Sequence, residues 1–181
     1  RKFAHTAAAV DYFASLIGPY PYEKLAQVQA SLRFDGMENA SAIFYDESLF
    51  RTDGVPLPLP HEIAHQWFGN SVTPDDWDHV WLSEGFATYL EALFEGRLGG
   101  PQALRERMAE SAERLARSGL AQTEPVVNPA QTDPLQKLNP LSYEKGAWIL
   151  HMLRGMMGDA SFFRGLRHYY ARHAGGAVSG E

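Results

Sequence analysis

The chain has 181 residues, 45% hydrophobic and 21% charged, a balance that suits a folded globular domain with its own core and argues against disorder. It contains no cysteine, which excludes disulfides, thiolate metal ligands and a cysteine nucleophile while leaving oxidising and reducing compartments equally open. A net charge of −6 without a basic run speaks against nucleic acid or an anionic membrane surface as partner, and no apolar stretch reaches the length of a membrane span.

Residues 2–17 place Val10, Phe13, Leu16 and Ile17 at helical spacing, and Gly18-Pro19 stops the run. Leu25 to Leu32 roughly alternates and Ala42 to Tyr45 is short and β-prone; two strands are expected, with Asp35 to Asn39 as a turn-like link. Pro56, Pro58 and Pro60 are expected to end any strand and deliver the chain in extended form to His61. A helix is expected over 61–68, closed by Gly69-Asn70, and a second from Leu82 to about Glu95, ended by Gly96. Pro101 opens a third, with Leu104, Met108, Ala112 and Leu115 on one face and a solvated charged surface around it. Residues 119–141 carry Pro125, Pro129, Pro134 and Pro140, so an irregular crossing is expected, of a length that is often functional. Helical periodicity returns over 142–157 and 161–173. The expected fold is mainly α (α+β) in one domain over 1–181: a helix plus a small sheet in 1–60, then a helical bundle in 61–181. The chain starts Arg1-Lys2, shows no signal peptide and stops in Gly175 to Glu181, which reads as a piece of a longer protein.

The chemistry concentrates at His61-Glu62-Ile63-Ala64-His65. Residues i and i+4 of a helix differ by about 40° in azimuth, so His61 and His65 project from one face and can both reach a tetrahedral Zn²⁺. Glu62, about 100° round the helix, is better placed to hold a water than to complete the ligand pair. Composition alone produces such a pentad in about one of fifty similar chains, and two histidines on a structural helix would be the bland outcome. A catalytic zinc takes three protein ligands and one open position, and Glu84, at the start of the next helix, is the next candidate. Glu91 and Glu95 share that helix and are weaker candidates for the same place, expected on its outer surface. His5, His168 and His173 are expected at the surface, His151 in the core with a partner, and His79 as a candidate support for the site.

His61 to Asn70, followed by Trp81-Leu82-Ser83-Glu84-Gly85-Phe86-Ala87, resembles the signature of the gluzincin zinc aminopeptidases of the aminopeptidase N type. Gly36-Met37-Glu38-Asn39 is similar to the family's exopeptidase motif, and Ser142-Tyr143-Glu144-Lys145-Gly146-Ala147 matches the segment that holds its catalytic tyrosine. The chain departs from the pattern at Asp35, where glycine is common, at Gly36, which replaces alanine, and at Ser83, where asparagine is frequent. The resemblance implies a thermolysin-like catalytic domain with one Zn²⁺ per chain held by His61, His65 and Glu84. It implies that Glu62 is the general base, that Tyr143 donates to the oxyanion, and that Glu38 pairs with the α-ammonium of a peptide substrate with a free N-terminus. Gly36 and Met37 are expected to add backbone contacts or a side-chain wall beside Glu38. Family members also carry an N-terminal β-domain and a C-terminal helical domain, so these residues alone are expected to bind zinc with weak activity or none. A thermolysin-like endopeptidase and an inactive scaffold of the same fold are the competing readings.

Overall fold

The computed structural model describes residues 2–51 and 58–180. Helix α1 (Thr6–Leu16) forms on the expected spacing: Ala9 and Phe13, with Ile17 just beyond, are buried on one side, and Phe13 meets Trp67 and Phe94 edge-on. Strands β1 (Ala26–Ala30), β2 (Gly36–Met37) and β3 (Ala42–Asp46) make a sheet of order β1-β3-β2, with β1 parallel and β2 antiparallel to β3. The Asp35 to Asn39 segment is therefore more than a turn, because it supplies an edge strand. Two residues are too few to show alternation, and their extended form comes from pairing with Phe44 and Tyr45. Helix α2 (Ser48–Arg51) is a single turn.

Helix α3 (Leu59–Ala64) starts two residues before His61, with Pro60 inside its first turn. That corrects the expected extended approach: a proline in a first turn has no intrahelical donor to lose. Pro56 lies outside the described residues. Past His65, tighter turns from Gln66 N–H to the Ile63 carbonyl and from Trp67 N–H to the Ala64 carbonyl carry the chain to Phe68. Strand β4 (Val72–Pro74) pairs in parallel with β5 (Gly176–Val178), a contact between distant segments that no local pattern announces.

Helix α4 (Trp81–Ser118) does not stop at Gly96; it breaks at Gly100, whose φ of 83° and ψ of 179° leave helical space just before Pro101. Residues 101–118 then fold back, and a side chain at Gly96 would meet Leu104. In the 119–141 crossing, α5 (Pro134–Lys137) is docked by an ion pair from Lys137 to Asp78. The expected helix over 142–157 opens with one wide π-turn, Leu141–Lys145, in which Lys145 N–H reaches the Pro140 carbonyl at 3.0 Å. Helices α6 (Gly146–Met157) and α7 (Asp159–His173) follow. Among the described residues no helix is long and apolar enough to cross a membrane.

Helices α4 and α6 touch backbone to backbone: a Cβ on Gly85 would lie 2.8 Å from the Gly146 Cα. Gly85 follows Glu84 and Gly146 closes the turn that carries Tyr143, so this contact sets the spacing of both residues. Gly85→Ala is expected to cost about 1–3 kcal/mol in denaturant unfolding through overpacking. Gly155→Ala, on α6 with nothing within 4 Å of the added methyl, is expected to be neutral or stabilising by up to about 1 kcal/mol.

Candidate metal centre

Three side-chain atoms from two helices converge. His61 Nε2 lies 3.0 Å from His65 Nε2 and 3.3 Å from Glu84 Oε2, and His65 Nε2 lies 3.4 Å from the same oxygen. The one-turn spacing on α3 brings the imidazoles together, and the first turn of α4 delivers the carboxylate. His65 and Glu84 are buried and His61 nearly so. On the other edge of the His65 ring, Nδ1 lies 3.1 Å from the Phe68 carbonyl and 3.0 Å from the Ser83 hydroxyl. A carbonyl can only accept, so Nδ1 carries a proton, and in the neutral ring Nε2 turns its lone pair to the convergence point. Nitrogen and oxygen ligands at about 2.0–2.1 Å on a tetrahedron stand about 3.3–3.4 Å apart. The two histidine–carboxylate separations match that spacing, and the histidine–histidine separation of 3.0 Å is slightly shorter. The three residues fit a zinc-type site, and among the described residues they form the one such cluster.

The remaining expected site residues surround this point. A cavity of about 450 Å³ is lined by His61, His65 and Glu84 together with Glu38, Glu62 and Tyr143. Burial lifts the Glu62 carboxyl to about 7; His61 and His65 pull it down, while Glu38 and Glu84 add to the rise. A cation at the convergence point would draw it lower. The Gly36 backbone sits hard against Glu62, since a Cβ there would fall 2.3 Å from Glu62 Oε1. Gly36 and Met37 border the cavity, Met37 partly exposed. The Tyr143 ring stacks on His61 at 6.0 Å and 18°, and burial, then the Glu84 and Glu38 charges, raise its phenol above the ordinary value.

Two residues inside the His61 to Asn70 signature have a role that reading it left unassigned. Gln66 Nε2 and Asn70 Nδ2 both donate to the Glu38 carbonyl, at 2.9 and 2.7 Å, fixing strand β2 beside α3. Gln66 is fully buried, and a glutamine amid apolar residues is the signal that could have marked it.

Glu91 corrects an expectation. It does not lie on the outer surface: its Oε2 is 3.8 Å from His61 Nδ1, and its side chain is 18% exposed. Seven residues after Glu84, it falls within about 20° of the same helix face. Glu95, the other expected surface residue, is half-buried and 3.6 Å from Arg107 Nε. Of the other histidines, His5 and His168 are exposed, and His173 is half-buried against Tyr169. His151 is half-buried rather than core, 3.2 Å from the Tyr89 hydroxyl. His79 accepts the Gly180 N–H, so it holds the segment after β5 instead of the His61-His65-Glu84 cluster.

Residues 2–181 match the description Peptidase family M1 domain. Aminopeptidase M1-B of Oryza sativa subsp. japonica is 35% identical over 184 residues, which span 91% of this chain and 20% of that protein. An M1 zinc metallopeptidase from Deinococcus radiodurans has a TM-score of 0.80 at 32% identity, over 98% of this chain and 38% of that one. Native yeast LTA4 hydrolase gives a TM-score of 0.88 at 26% identity, over 98% of this chain and 30% of that one. The chain spans about a fifth of the length of the curated relatives it matches. With the match running through every segment that builds the site, the chain belongs to peptidase family M1.

Proposed function

We propose that these residues are the zinc-binding catalytic part of an aminopeptidase that hydrolyses the first peptide bond of peptides. The observation that carries this reading is the convergence of His61 Nε2, His65 Nε2 and Glu84 Oε2 on a cavity that Glu38, Glu62 and Tyr143 also line. The zinc and aminopeptidase activity in the relatives' names support it. The 181 residues act as one unit, and the N-terminal β-domain and C-terminal helical domain of the longer protein complete the cleft.

His61, His65 and Glu84 hold the zinc, which when bound polarises the scissile carbonyl and lowers the pKa of a water towards about 7. Glu62 takes the proton of the attacking water as its oxygen adds to the carbonyl carbon. It then gives that proton to the amide nitrogen as the C–N bond breaks, so the products are a free amino acid and a shortened peptide. The Tyr143 hydroxyl, kept protonated by burial, donates to the oxyanion that develops on the carbonyl oxygen. The Glu38 carboxylate pairs with the substrate's α-ammonium, a contact that an internal peptide bond cannot make. An α-ammonium held at Glu38 would leave one residue between that anchor and the bond presented to the ligand set, which is the exopeptidase outcome.

The test uses the full-length protein. One zinc per chain is expected, with turnover of aminoacyl anilides abolished by a chelator and restored by zinc. Tyr143→Phe is expected to lower kcat by about 10²–10³ with zinc content unchanged. Glu62→Gln is expected to lose at least as much, again with the metal retained. Removing a charge-assisted contact of about 1.5–3 kcal/mol, Glu38→Ala is expected to lower kcat/KM for free-amine substrates by about 10–100-fold and to spare N-acylated peptides. Equal loss on both substrate types would remove the amine-anchor role, and efficient cleavage of N-acylated peptides by the unsubstituted enzyme would point to an endopeptidase. Protein that retains no zinc would leave only the scaffold reading.

A further inference from the structure

His61 is bracketed by two carboxylates of one helix. Its Nε2 faces Glu84 at 3.3 Å, and its Nδ1 faces Glu91 at 3.8 Å. The second separation is longer than a hydrogen bond but within reach of a small side-chain rotation. Glu91 is itself gripped: Arg107 Nη2 lies 3.1 Å from the same Oε2, and Arg107 Nε lies 3.6 Å from Glu95 Oε1. This is not a solvated surface pair, because the Arg107 and Glu91 side chains are only 15% and 18% exposed.

The partnership depends on the interrupted helix. On an unbroken helix, sixteen residues would separate Glu91 from Arg107 by about 24 Å. The break at Gly100 turns residues 101–118 back along the first run and lays the guanidinium against the carboxylate. A carboxylate held beside the Nδ1 of a ligating histidine fixes the ring's orientation and tautomer and strengthens Nε2 as a donor. Unlike His65, whose Nδ1 is fixed by the Phe68 carbonyl, His61 has Glu91 as the one acceptor recorded beside its Nδ1 among the described residues.

We infer that Glu91 and Arg107 are positioning residues for the metal site: Arg107, returned by the break in α4, aims Glu91 at His61 and so holds the imidazole in its ligating pose. This inference rests on the proposed zinc reading. It is tested by zinc affinity, measured by competition with a chromophoric chelator, in the full-length protein and in Glu91→Gln, Arg107→Met, Arg107→Lys and the Glu91→Gln/Arg107→Met pair. Each of Glu91→Gln and Arg107→Met is expected to weaken zinc binding about 10–100-fold. The pair is expected to match Glu91→Gln alone, because Arg107 acts through Glu91, and Arg107→Lys is expected to recover most of the affinity. Melting temperatures taken in excess chelator serve as the control, since a purely structural role would lower them and leave zinc affinity untouched. Variants within about twofold of the unsubstituted protein, itself zinc-replete, would overturn this inference alone. Unsubstituted protein that binds no zinc would overturn the proposed function and this inference together.

Discussion

Two imidazole nitrogens and a carboxylate oxygen, all within 3.4 Å of one another and largely shielded from water, form an arrangement that a protein does not adopt cheaply. With Nδ1 of His65 committed to the Phe68 carbonyl, its Nε2 is an acceptor, and so is Glu84. Acceptors gathered in a low-dielectric pocket repel unless a cation or a proton stands between them. Here the surrounding fold holds them together. Phe68, just past α3, packs on Phe86 of α4, Phe13 of α1 bridges Trp67 and Phe94, and the Gly85–Gly146 contact locks α6 behind them. Shifting either helix by one residue would turn the histidines or Glu84 away from the shared point.

Around that point, further residues hold in place the side chains that line the cavity. Gln66 and Asn70 hold the Glu38 carbonyl, and the bare backbone of Gly36 lets β2 lie directly on Glu62. Arg114 Nε bonds Glu144 at 2.8 Å, next to Tyr143 on the π-turn. A wide turn of this kind is costly in isolation, and its place at the edge of the cavity agrees with the tendency of such bulges to occur at functional positions. Organisation of this sort lets a site present fixed dipoles to a developing charge without rearranging as it forms.

Much of the site was legible along the chain because its central spacing is local. His61 and His65 lie one helical turn apart, and any helix through them puts their rings on one face. Glu84 could be nominated because hydrolytic zinc sites take a third ligand. The roles of Glu38 and Tyr143 rested on resemblance, since nothing local distinguishes a turn carboxylate or a helical aromatic from its bland counterpart. Glu91 turns inward, against expectation, although its seven-residue spacing from Glu84 is visible along the chain, because the face of α4 that is buried is chosen by α3. Gly96 read as a stop, but the break falls at Gly100, where Leu104 can fold back onto the glycine it leaves uncovered.

The order of residues thus decided what depends on neighbours one or two turns away: the amphipathic faces, the histidine pair, the absence of thiol chemistry, the breaks at glycine and proline. Tertiary packing decided what depends on segments far apart in the chain. It made β2 an edge strand through β3, joined β4 to β5 about a hundred residues later, and brought Tyr143 to His61 and Arg107 to Glu91. The physical reason is range. Backbone propensity and helical periodicity act over a few residues, whereas a site assembled from α3, α4 and the π-turn exists only once burial of their apolar faces has fixed the helices against each other.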